Sequence, residues 1–175
     1  MRRALENWPA IVVLALAPAG CGYRVSGHAD LLPKSIRSIA IPAFGNVTTR
    51  YKLADRVTQA VTQEFINRTR YQIVADANQA DAILQGAVLS YSAYPTVFDP
   101  LSGRATGVQT IVLFQVSLVE RATGATLFTR PNLELRERYE ISVDPKEYFD
   151  ESGVAMQRLS EDAARTIVSA ILENF

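Results

Sequence analysis

The only cysteine of this 175-residue chain, Cys21, stands in the stretch Ala17-Pro18-Ala19-Gly20-Cys21-Gly22-Tyr23. A thiol is the group that accepts a glyceryl lipid, because its thiolate is the nucleophile. The small residues Ala19 and Gly20 just before it are what a peptidase cutting ahead of a lipidated cysteine accommodates. The spacing predicts a lipoprotein processing site: diacylglycerol on Cys21, cleavage of the preceding bond, and acylation of the new amino terminus. Pro18 departs from the Leu-like residue usual three positions before the cysteine, with Leu14 and Leu16 a little further back. The competing readings are a plain secretory signal and a small buried cysteine in an unprocessed chain. The flanking sequence favours processing. Arg2 and Arg3 open the chain, and an apolar run from Ile11 to Ala17 ends near the cysteine, too short to span a bilayer. Stable attachment needs more than one acyl chain, which a lipidated Cys21 carries.

Other chemistry is sparse. The single histidine, His28, lies in a polar stretch beside Gly27 and Asp30 and reads as solvated. One Cys and one His cannot build a zinc site, and a lipidated Cys21 leaves no partner for a disulfide. Gly-x-Ser-x-Gly, His-Glu-x-x-His and a phosphate-cradling glycine loop are all missing from the sequence. The carboxylate pairs Asp150-Glu151 and Glu161-Asp162 fall on the polar face of a helical stretch and read as solvated surface. No enzyme, cofactor or metal is expected. The whole chain has 18 basic and 18 acidic side chains, and residues 1–20 contain Arg2, Arg3 and Glu6, so the remainder is close to neutral. No global field recruits nucleic acid. Arg104, Arg121 and Arg130 are the candidates for meeting an anionic headgroup, though isolated solubilising charges explain them more simply.

The elements that would position these residues follow from periodicity. Residues 1–20 are a signal peptide, 21–34 a lipidated tether entering the fold near Leu31-Leu32-Pro33, and 35–175 one domain. Ser35 to Pro42 is a first strand, followed by a loop in which Thr48 or Thr49 would cap a helix. Leu53, Val57, Val61 and Phe65, widened by Ala54, Ala60 and Ile66, predict an amphipathic helix over 50–69. Tyr71 to Val74 is a short strand, and 76–80 a loop or helical turn. Residues 81–94 form another strand whose Gly86 marks a bulge or a close backbone approach. Residues 95–107 read as a long loop, mobile or functional.

Val108, Thr110, Val112, Phe114, Val116 and Leu118 give the best alternation in the chain, over 106–120. A turn at Arg121-Ala122-Thr123-Gly124 returns the chain antiparallel. Pro131-Asn132 interrupts the return and suggests an edge strand. From Leu133 to Val143 the odd positions are apolar except Glu137. Asp144-Pro145-Lys146-Glu147 reads as a helix start, with Asp144 capping and a helix running to about Glu173 that bends near Ser152-Gly153. Its stripe is Leu159, Ala163, Ile167 and Ile171 with Met156, Val168 and Ala170. Two such stripes need a common cover. The predicted fold is α+β, with two amphipathic helices packed on one face of a four- to five-stranded mixed, mostly antiparallel sheet.

Cys21-Gly22-Tyr23, Gly27, Leu31-Pro33, Ile39-Ala40-Ile41-Pro42, Tyr71-Gln72-Ile73-Val74 and Ala80-Asp81-Ala82-Ile83-Leu84, with the two helices, resemble the lipopolysaccharide-assembly lipoprotein family LptE over essentially the whole chain after the signal. The resemblance implies an outer-membrane lipoprotein, lipid-anchored at the periplasmic face, that plugs an LptD-type β-barrel. It would help that barrel fold and deliver lipopolysaccharide to the outer leaflet. The family has no catalytic residues, and only the lipidated cysteine transfers, onto Cys21; the lipopolysaccharide contacts stay unassigned. Gly22 is not the Asp often associated with inner-membrane retention. A second resemblance, of the Ile-Ala-Ile-Pro-x-Phe strand and the Ala-Asp-Ala motif, is to TolB-like and secretion-pore proteins. It would imply a self-assembling or scaffold module.

Overall fold

The computed structural model describes residues 32–142 and 150–174. Cys21, His28 and the helix start proposed at Asp144–Glu147 lie outside them. The described elements are β1 (Ser38–Ala40), β2 (Gly45–Asn46), α1 (Tyr51–Arg68), β3 (Gln72–Val74), β4 (Ala82–Phe98), β5 (Ala105–Glu120), β6 (Thr126–Glu140) and α2 (Ser152–Glu173), with a 3-10 turn at Ala77–Gln79. The six strands form one mixed sheet in the order β3-β1-β4-β5-β6, with β2 also on β4. The fold is the α+β arrangement expected, with α1 and α2 packed on each other and on the sheet.

The opening strand–helix–strand unit gives a parallel pair, Ser38 opposite Gln72 and Ala40 opposite Val74. β1 and β2 are successive parallel segments on the same edge of β4, at Ala82–Ile83 and Ala87–Val88. Phe44, between them, turns inward. Its ring lies so close to Gly86 that a Cβ there would come within 2.3 Å of it. The glycine therefore marks a close approach, while the bulge expected in this strand lies between Val88 and Ser90.

Residues 95–107 are not a long loop. β4 and β5 stay paired out to Phe98 and Ala105, and only Asp99–Arg104 turns. Pro95 is tolerated because β2 ends at Asn46. Beyond that point β4 pairs on one side only, so a strand residue without an N–H loses no ladder bond on the open side. The Asp99 carboxylate accepts from the backbone and hydroxyl of Ser102, 2.6 and 2.5 Å, and Gly103 takes φ +68°, which closes the turn. Pro131-Asn132 bulges opposite Gln115 without ending β6, and β6 is an edge strand as its proline suggested.

The core lies between the helices and one face of the sheet. Leu53, Val57, Val61 and Phe65 of α1 meet Leu159, Ala163, Ile167 and Ile171 of α2 over Leu84, Val88, Val112, Phe114, Val116 and Leu118. The alternating set from Val108 to Leu118 is wholly buried. Ile66 is not part of the stripe: it is 53 % exposed, since it falls outside the arc of α1 that faces α2 and the sheet. Leu32 and Ile36 are buried and belong to this core.

Among the described residues α2 runs from Ser152. Asp150 still bridges to Ile141 of the preceding strand, and its carboxylate accepts the Ser152 N–H at 2.8 Å. Neither Thr48 nor Thr49 caps α1. The N-cap is Arg50, with no side-chain cap; the Thr48 hydroxyl accepts the Arg50 N–H instead, 3.1 Å.

Candidate functional site

The two ends of the sheet differ. At one end the chain enters through Leu32, whose N–H donates to the Tyr71 hydroxyl, and the Ser35 hydroxyl donates to Glu120. Asp81 ties this end together. One carboxylate oxygen accepts from the N–H groups of Arg37 and Ser38 and from the Ser38 hydroxyl, 2.9–3.0 Å. The Arg37 N–H first, then the Ser38 hydroxyl and N–H, hold the Asp81 carboxyl below its ordinary value. Arg121 Nε donates to the Ala80 carbonyl at 2.6 Å, and the Arg121 N–H donates to the Asp81 carbonyl. The Ala80-Asp81-Ala82 motif is thus the joint between the parallel and antiparallel halves of the sheet.

The other end is the turn of the β4–β5 hairpin, about 55 Å away along the 17 residues of β4. Val97, Phe98 and Leu101 are exposed there, Leu101 almost completely at 96 %. The face of the sheet away from the helices carries Gln85, Gln109, Gln115, Ser117, Glu134, Arg136 and Arg138 among half-covered Ile83, Ile111 and Leu113. That face offers hydrogen-bonding groups throughout.

The basic residues singled out earlier do not meet. Arg104 lies in the hairpin turn, Arg121 serves the Asp81 joint, and Arg130 sits opposite Val116 beside α2. The carboxylate pairs are structural too. Asp150 accepts the Ser152 N–H, Glu161 accepts from Gln157, and Asp162 pairs with Arg165. Glu137, the exception in the β6 alternation, points towards α2 and pairs with Arg158 at 2.6 Å.

What sequence reasoning missed is a cleft of about 270 Å³ where the first turns of α1 and α2 meet β4. Its floor is Leu53, Tyr91 and Met156, and Arg50, Lys52 and Arg56 line it. The Arg50 guanidinium stacks 4.9 Å over the Tyr91 ring, and Arg56 reaches across to the Gly153 carbonyl, 3.1 Å. The first turn of α1 carries no acidic residue. That was the available signal, since a helix start ordinarily attracts Asp or Glu.

The lipopolysaccharide-assembly family LptE matches residues 36–171, which take in the whole sheet and nearly all of α2. The chain belongs to the LptE family. As an LptE protein it has a role in lipopolysaccharide assembly, in a family of outer-membrane lipoproteins that is non-catalytic. No curated protein sequence matches it. Similar solved structures include an uncharacterized lipoprotein B from Nitrosomonas europaea, 18 % identical over 87 % of this chain and 96 % of that one, TM-score 0.55. The rare lipoprotein B from Shewanella oneidensis is 15 % identical over 78 % and 95 %, TM-score 0.50. The PelC dodecamer from Paraburkholderia phytofirmans is 14 % identical over 79 % and 89 %, TM-score 0.52. At these identities the likeness is one of fold alone. LptE and PelC therefore share a scaffold, and the family assignment rests on the sequence match.

Proposed function

We propose that this LptE protein is processed after residue 20, anchored by lipid on Cys21 at the periplasmic face of the outer membrane, and seated as a plug in an LptD-type β-barrel. There it supports barrel assembly and delivery of lipopolysaccharide to the outer leaflet. Residues 21–34 act as the tether, and the chain from residue 35 as the plug. The family match over 36–171 carries this reading.

The shape is consistent with it. The lumen of a large barrel is polar, and the open sheet face presents Gln, Ser, Arg and Glu side chains rather than a continuous apolar surface. The long edge strand β6 alternates charged residues outward, Glu134, Arg136, Arg138 and Glu140, which discourages strand-to-strand aggregation.

The test is a pull-down of the detergent-solubilised protein carrying a tag at the native locus. A large β-barrel recovered in stoichiometric amount is expected. Recovery of rings of this chain alone would overturn the plug reading in favour of a self-assembling module.

A further inference from the structure

The cleft between the helix starts concentrates positive charge in a way the isolated domain does not favour. Lys52 and Arg56 are four residues apart on α1, a like-charge spacing that destabilises a helix. Lys52 lies in the first turn, where the helix dipole also opposes cations, and Arg50 adds a third charge at the N-cap. The ion pairs among the described residues all lie elsewhere: Glu64–Arg68, Glu134–Arg136, Glu137–Arg158 and Asp162–Arg165. None of the three cleft cations has a carboxylate within ion-pair distance among those residues. Two of them are nonetheless oriented, Arg50 by stacking on Tyr91 and Arg56 by its bond to Gly153. A bound anion would relieve all of these repulsions together.

We propose that this cleft binds the phosphate of an amphiphile, with Arg50, Lys52 and Arg56 around the phosphate and Leu53, Tyr91 and Met156 against the adjoining apolar part. The charge complement selects a phosphate monoester, which carries up to two negative charges and three acceptor oxygens. Arginine forks match those oxygens, and lysine adds a point charge. The volume, about 270 Å³, is below the roughly 300–1,000 Å³ of drug-sized ligand sites, so the cleft takes a headgroup and not a whole lipid. This deepens the lipopolysaccharide-assembly reading and rests on it only for which amphiphile is carried; the phosphodiester of a phospholipid headgroup, with one charge and two free oxygens, is the weaker match.

The experiment uses the full-length protein in detergent and measures affinity for four probes: lipid A, lipid A stripped of its phosphates, phosphatidylglycerol, and inorganic phosphate. Lipid A is expected to bind about tenfold or more tightly than its dephosphorylated form. Arg50→Gln and Lys52→Glu should each weaken lipid A binding about tenfold and flatten its salt dependence, with a thermal midpoint that does not fall and, for Lys52→Glu, rises. Phosphatidylglycerol bound as tightly as lipid A overturns the selection of a phosphate monoester, and weaker binding of it supports that selection. Lipid A bound equally with and without its phosphates, or equally by wild type and both variants, overturns the proposal. Inorganic phosphate bound as tightly as lipid A overturns the role of the apolar floor. Pull-down of the same variants separates the two readings. A barrel that still co-purifies while the cleft fails leaves the assembly reading standing, and a missing barrel with a discriminating cleft leaves the site standing.

Discussion

Three residues carry most of what is specific here, and each invites a test. If Cys21 is the lipid-bearing residue, Cys21→Ala should abolish incorporation of labelled fatty acid and release a folded domain from the membrane fraction. Label persisting on the variant would remove the lipidation proposal. Asp81 accepts three hydrogen bonds, and charge-assisted bonds of this kind, partly exposed as they are, stabilise by on the order of 1–2 kcal/mol in sum. Asp81→Ala should lower the urea midpoint accordingly. The sign with pH follows from its lowered folded pKa. The unfolded value is near 3.8, so the contribution is complete above that pH and is lost as pH falls through the lower folded value. An Asp81→Asn variant should therefore show a flatter acid limb in stability measured from about pH 5 to pH 2. Gly86→Val places a branched side chain against the Phe44 ring, where a Cβ alone meets carbon at 2.3 Å. Overpacking of this kind costs about 1–3 kcal/mol or more, read as a lowered thermal midpoint. Gly86 and Asp81 were visible in the sequence as a glycine within a strand and an acidic residue in a motif. What they touch was not, because Phe44 and Ser38 each lie about forty residues away.

Helices and strands were legible in proportion to their periodicity. The stripes of α1 and α2 and the alternation of β5 record burial directly, residue by residue, since a buried face repeats every 3.6 or 2 positions. Leu159, at 1 % exposure, is the test at this scale. Leu159→Ala should cost about 2–5 kcal/mol through the cavity it leaves between α2 and the sheet, measured by denaturant unfolding. The ends of elements were less legible. Pro95 and two glycines suggested a loop, yet pairing with β5 extends β4 through them. Nothing local marks Asp150, just ahead of α2, as the residue that bridges to Ile141. Glu137 looked like a fault in an alternating strand and is explained by Arg158, which only the packing of α2 on β6 brings near.

At the scale of the molecule, the Asp81 joint holds one end of the sheet and an apolar hairpin turn stands at the other. Phe98→Ser with Leu101→Ser should change stability by no more than about 0.5 kcal/mol, because both side chains are exposed. A larger drop in the thermal midpoint would mean that the fold itself uses the turn. The sequence by itself determined the α+β class, the two buried stripes, and membership of the LptE family. All of these are local patterns or patterns in order along the chain. The tertiary structure alone decided the length of the β4–β5 hairpin, the edge shared by β1 and β2, and the basic cleft. Arg50, Tyr91 and Gly153 span a hundred residues of chain, and nothing in their spacing foretells that two helix starts and a strand converge there. Periodicity reports which way a side chain faces. Only folding decides what it faces.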